Sequence, residues 1–176
     1  MEIKYFTKNI LSDIRVDLTE EFDRNFEEKG FFTNKWRGTN LPNRRGDLMV
    51  RSGNLRRSIR KAKQSSNQIT WSSSLPYASI NNEGGEIVVT DKMKRFFWAM
   101  YYKASGAAKG KGERAQRLLA EAQQWKNLAL QKVGAKMKIE KRQFIGDHPI
   151  VRQRIEDIVD KNMLELKDHI YNKLKK

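Results

Sequence analysis

KYFTKNILSDIRVDLTEEFDRNFEEK, residues 4–29, sets Phe6, Ile10, Ile14, Leu18, Phe22 and Phe26 four positions apart, with Leu11 beside them and acidic residues opposite. That spacing predicts one long amphipathic helix. Gly30 follows at once and is suited to the left-handed conformation that closes a helix. Beyond it, residues 31–50 carry two Gly, one Pro and three Asn with no period. They read as an extended connection anchored by Trp36. SGNLRRSIRKAK, residues 52–63, offers a serine N-cap and places Leu55, Ile59 and Ala62 at helical spacing, so a short basic helix is expected. Gln68–Ser72 and Tyr77–Ile80 alternate roughly through Ile69, Trp71, Tyr77 and Ile80, predicting two antiparallel strands. Glu86–Thr90, after the turn 81–85, supplies a third.

Asp91 is placed to cap a helix in which Met93, Phe96, Phe97, Met100, Tyr101 and Ala104 form a complete stripe. Residues 105–112, SGAAKGKG, read as a flexible basic loop. Glu113–Val133 then forms a second helix, with Ala115, Leu118, Ala122, Trp125 and Ala129 on one face and a stop near Gly134. Lys136–Phe144 reads as a further strand. Asp147 or His148 caps a last helix opened by Pro149, with Val151, Ile155, Ile158, Met163, Leu166, Ile170 and Leu174 on its core side. The expectation is one α+β domain over 1–176, a small antiparallel β-sheet flanked by long N-terminal (1–30) and C-terminal helices. Its core spans 48–90 and 136–176, and a helical hairpin is inserted at 91–135.

The composition narrows the chemistry. A chain of 176 residues suits a single core. With no cysteine, disulfides, thiolate zinc sites and cysteine nucleophiles are excluded. His148 and His169 are too few for a His-rich metal site, and both have ordinary cap or surface explanations. The carboxylates Glu20-Glu21, Glu27-Glu28, Asp157 and Asp160 read as solvated charges, whereas a general acid needs a desolvated cleft. Gly106, Gly110 and Gly112 lack the spacing of a phosphate-binding loop. No catalytic, metal or cofactor-binding residue is therefore assigned, and an enzyme is not expected. The most apolar run, RFFWAMYY at 95–102, is far short of the ~18 residues of a membrane span. The expectation is a soluble protein made in a cytoplasm, with no membrane partner and no small-molecule substrate.

Charge is the strongest compositional signal. The 36 basic and 21 acidic residues give +15, which points to an anionic partner, an acidic protein surface or a crowded assembly. Residues 1–30 carry −3, whereas residues 31–80 hold ten basic residues against Asp47 alone. Arg44, Arg45, Arg51, Arg56, Arg57, Arg60, Lys61 and Lys63 form the candidate DNA-facing cluster, since grouped cations release counterions from nucleic acid. No motif for reading a groove or stacking a base accompanies them. In the aromatic helix, Phe96, Phe97 and Tyr101 belong to the core stripe. Trp98 and Tyr102 lie off it and are the candidate intersubunit contacts.

Three blocks also occur in a familiar order: Ser52, Gly53, Leu55, Ser58 and Ile59; then Tyr77, Ala78, Gly84 and Gly85; then Arg142, Phe144 and Gly146. They resemble the approximate pattern T/S-G-x-L-x-x-S-I, Y-A-x-I-H-x-x-G and R-x-F-L-G of tailed-phage virion morphogenesis proteins of the Mu-like prophage type, also described as tail completion proteins. Asn81 stands where that family often has His, and Gln143 where it often has Pro. The resemblance implies a structural protein of tail completion or head–tail joining at the neck, binding other neck, tail or connector proteins as a ring-forming homo-oligomer. It would assemble in the host bacterial cytoplasm and reside at the virion neck or tail. The rival class is a basic nucleic-acid-binding module of a mobile element, supported by charge alone.

Overall fold

A computed structural model describes residues 3–38, 49–60 and 62–175. In chain order the elements are α1 (Ile3–Glu28), β1 (Gly30–Phe31), β2 (Asn34–Lys35), α2 (Asn54–Ile59), β3 (Lys63–Gln64), β4 (Ile69–Thr70), α3 (Ala78–Glu83), β5 (Gly85–Val88), α4 (Asp91–Ala107), α5 (Glu113–Ala129), β6 (Lys136–Ile139) and α6 (Pro149–Leu174). The class is α+β. Instead of one small sheet, the described strands form three separate antiparallel ladders, β1–β2, β3–β4 and β5–β6. The chain divides into two compact units, the first made of Met1–Trp36, Met49–Ala78 and Arg142–Lys176, the second of Arg37–Leu48 and Ser79–Lys141. The helical hairpin thus belongs to a unit of its own together with β5 and β6.

In the first unit, the α1 stripe buries Ile14, Leu18, Phe22 and Phe26 as its spacing predicts. Lys29, rather than Gly30, takes the left-handed conformation after the helix, at φ 54°. Gly30 instead starts β1, where a Cβ would sit 3.0 Å from the Asn34 carbonyl oxygen, so the tight hairpin is what needs glycine. Trp36 anchors the connection as expected: its ring meets Phe26 edge-on at 5.8 Å and its Nε1 donates to the Gln143 carbonyl at 2.6 Å. The basic helix α2 is only six residues long. Gly53 at φ 69°, not Ser52, is its N-cap residue. The chain then turns into β3, which pairs with β4 in the register Lys63↔Thr70 and Gln64↔Ile69.

The expected strand Tyr77–Ile80 is instead the start of a helix, because the Ala78 N–H donates to the Leu75 carbonyl and Ala78 and Asn82 are buried at i, i+4 spacing. Four residues cannot distinguish a period of two from one of 3.6. On α6, His148 is the cap, its Nδ1 accepting from the Ile150 N–H at 3.2 Å. Val151 is buried and Ile155, Ile158 and Val159 pack against the core. Asn162 then occupies the stripe, donating to Asp13 Oδ2 and the Ile158 carbonyl. Past it, Met163, Ile170 and Leu174, expected on the core side, are exposed.

The second unit pairs β5 with β6 from Gly85↔Ile139 to Val88↔Lys136. The strand read as Lys136–Phe144 ends at Ile139. Fully buried Val89 extends the ladder by exchanging hydrogen bonds with Ala135 and Gly134. Thr90, rather than Asp91, caps α4, its Oγ1 accepting from the Met93 N–H. The helix runs on to Ala107, taking in part of the expected loop, and α5 stops at Ala129 rather than Val133. Phe97, Ala104, Ala115, Leu118, Ala122 and Ala129 are the buried side chains of the hairpin. Small residues at these positions let two helices approach closely. Phe96, expected in the core, is 54% exposed: it lies at the margin of the stripe, where its ring meets Trp125 edge-on while Phe97 stacks on that indole.

Candidate functional site

The motif residues of the first unit are packing and turn residues. Leu55, Ile59, Ala78 and Phe144, drawn from all three blocks, are buried in one cluster with Phe22, Phe26 and Phe31. Phe144 lies 5.1 Å from the Phe26 ring, and its carbonyl accepts from Asn25 Nδ2 at 3.2 Å. Ser58 Oγ donates to the Leu55 carbonyl and shares a 2.7 Å hydrogen bond with Ser73 Oγ, tying α2 to the following segment. Ser52 is exposed, and Tyr77 is 41% exposed. Arg142 and Gly146 border Phe144, and Gly146 has φ 138°. Gly84 and Gly85 lie in the second unit; at Gly84, φ 73°, a Cβ would come within 2.9 Å of the Lys141 backbone nitrogen. That close approach is why the position is glycine.

Three residues of the basic cluster, Arg56, Arg57 and Arg60, are engaged by groups of their own unit. Arg56 donates to both Asp23 oxygens at 2.6 and 2.5 Å and to Glu27 at 2.5 Å. Arg60 lies 3.3 Å from Asp23. Hydrogen bonding from Arg56 holds the Asp23 carboxyl below its ordinary range, and the same bonds raise the Arg56 guanidinium. Arg57 folds back to donate to the Ser52 carbonyl and Asn54 Oδ1, both at 2.7 Å, roofing Gly53. Arg51 and Lys63 are exposed. Arg44, Arg45 and Lys61 lie outside the described residues.

The aromatic helix follows its spacing at buried Phe97 and exposed Tyr102 and departs from it at exposed Phe96. Trp98 stacks on Tyr102 at 6.0 Å and meets Tyr101 edge-on at 5.6 Å. Tyr102 is 65% exposed, whereas Trp98 is half-buried.

Two features escape a reading of periodicity. Glu21 and Asp23, on α1, are buried rather than solvated: Arg154 reaches from α6 to Asp17 at 2.7 Å and Glu21 at 3.0 Å, while Arg56 and Arg60 pair with Asp23. Donating to the Asp17 carboxylate raises the pKa of the Arg154 guanidinium. Asn25 links three segments, accepting from the Phe32 N–H at 3.0 Å while donating to Phe144. Its one sequence signal is position, three residues after Phe22 and therefore beside the stripe. Among the described residues no group of three or more His, Cys, Asp or Glu is placed to hold a metal ion, and no helix is long and apolar enough to cross a membrane. No family model, curated protein or solved structure matches the chain.

Proposed function

We propose that this chain is a structural morphogenesis protein of a tailed phage or prophage, acting in tail completion or head–tail joining at the neck. It works by protein–protein assembly, as a ring, and carries out no catalysis. One observation carries the reading. Leu55, Ile59, Ala78 and Phe144, from three blocks spread over some ninety residues of sequence, bury together in one core. A chance likeness between short cap-and-helix sequences gives no reason for that convergence. The motif residues with resolved partners serve caps, turns and packing, the roles expected of an assembly scaffold. Apolar side chains at the surface suit protein partners: exposed Tyr102 and the half-buried Trp98 stacked on it are the proposed intersubunit anchors on α4, and exposed Leu164, Tyr171 and Leu174 on α6 offer further contact surface. The protein would assemble in the host bacterial cytoplasm and occupy the neck or tail of the particle. Electron microscopy of a lysate from a deletion strain tests the proposal. DNA-filled heads beside separate tails are expected; normal infectious particles contradict it.

A further inference from the structure

We infer that the turn end of the α4–α5 hairpin is a nucleic-acid-binding surface that grips the phosphate backbone without reading sequence. The positive field that the sequence concentrates between Arg44 and Lys63 is, at Arg56, Arg57 and Arg60, tied to Asp23, Glu27, Ser52 and Asn54. In the second unit the balance differs, with thirteen Lys or Arg against six Asp or Glu over residues 79–141. Lys103, Lys109, Lys111 and Arg114 lie on the last turns of α4, the turn 108–112 and the first turn of α5, and all four are exposed. A hairpin brings these segments to one end of the unit. The one carboxylate among residues 103–114, Glu113, accepts from Arg117 Nη2 at 3.1 Å, which leaves four cations against one carboxylate in the segment.

The chemistry at this end selects the partner. KASGAAKGKGER, residues 103–114, contains no large apolar side chain. A protein hot spot needs a buried aromatic or aliphatic anchor, and a membrane-surface segment needs an apolar face to insert. A phosphate backbone needs charge and room to approach. Room is present: a Cβ built on Gly106, Gly110 or Gly112 meets nothing within 4 Å. Gly112 caps α5 without a side chain, leaving the positive end of the helix dipole at the same place. Residues 103–114 form the end of one helix, a turn and the start of the next, with no helix or strand long enough to lie along a groove, so the contact is made to phosphates rather than to base edges.

The test is fluorescence anisotropy of the full chain with short random-sequence DNA duplexes, titrated at several salt concentrations. The parent is compared with the variant Lys103→Gln, Lys109→Gln, Lys111→Gln, Arg114→Gln, and with a control of equal net charge, Lys92→Gln, Lys132→Gln, Lys138→Gln, Lys141→Gln. Four phosphate contacts correspond to a salt slope of about 3.6, so the hairpin variant should bind roughly 30-fold more weakly at about 50 mM salt, with its slope reduced by about 3. The control should stay within about threefold of the parent. Lys109→Gln with Lys111→Gln, confined to the turn between helices, should lose about fivefold without touching helical residues. Failure of the parent to bind duplex at low salt overturns the inference, as does equal weakening by hairpin variant and control.

Discussion

The two units stabilise themselves by different means. The first buries large side chains, Phe22, Phe26, Phe31, Leu18, Ile59 and Phe144, and crosses its core with directional polar links from Asn25, Trp36, Trp71 and Arg154. The second buries mostly alanine, with Val89, Phe97 and Leu118 as its larger contributors, and leaves Phe96 and Tyr102 exposed beside a row of cations. Burial stabilises by roughly 25 cal/mol per Å² of apolar surface, so large side chains give the first unit a deeper well per residue. Small residues give the second a narrow helix–helix seam and a wide outer surface. The contrast is between a unit packed on large side chains and one packed on a narrow helix seam.

The contrast breaks most severely at Phe144. Phe144→Ala leaves a cavity among Phe26 and its neighbours and should cost ~3–5 kcal/mol, read as a large fall in the denaturant midpoint; Phe96→Ala, at an exposed position, should cost under ~1 kcal/mol. If the two losses are equal, the contrast between the units fails. Next in size is Arg56→Met, which leaves Asp23 buried beside Glu27 with only Arg60 nearby. We expect a loss of ~2 kcal/mol, below the range for a fully buried pair because Arg56 is partly exposed. The same pair has a pH signature. Because the folded Asp23 pKa is depressed, its contribution is complete above about pH 4 and is lost as pH falls through the lower folded value. Parent and Arg56→Met stabilities, followed by urea titration, should therefore converge as the solution is acidified below about pH 4. Gly53→Ala, forced into the left-handed region under the Arg57 side chain, should cost ~1 kcal/mol or slightly more in thermal melts. The smallest effect on stability belongs to Trp98→Ala with Tyr102→Ala. The monomer should melt within ~1 kcal/mol of the parent while self-association, read by sedimentation velocity, is lost.

The presence of the long helices was legible because 26 residues sample a 3.6-residue period many times over; the buried apolar positions of α1 match the stripe read from sequence, whereas on α6 the stripe holds only as far as Val159. Short elements were legible in part: α2, β4, β5 and the start of β6 fall where they were expected, whereas other short stretches misled. Residues 77–80 look alternating yet begin α3, and Ser52 and Asp91 look like caps although Gly53 and Thr90 occupy the cap positions. Each such choice is settled by one or two hydrogen bonds that depend on the backbone on either side. The candidate surfaces divide in the same way. Tyr102 lies off the core stripe and is exposed, as periodicity implies. The fate of the basic row was hidden, because the carboxylates that engage Arg56 and Arg60 lie on α1, about thirty residues away. A charge count carries no information about such distant pairing.

The proposed function requires that Trp98 and Tyr102 on α4 act as contacts in assembly of a phage neck or tail. Complementation of a deletion strain, scored by electron microscopy, tests it most directly. The parent gene should restore joined particles, whereas Trp98→Ala with Tyr102→Ala should yield soluble, folded protein together with DNA-filled heads and separate tails. Full restoration of infectious particles by the double variant would contradict the claim.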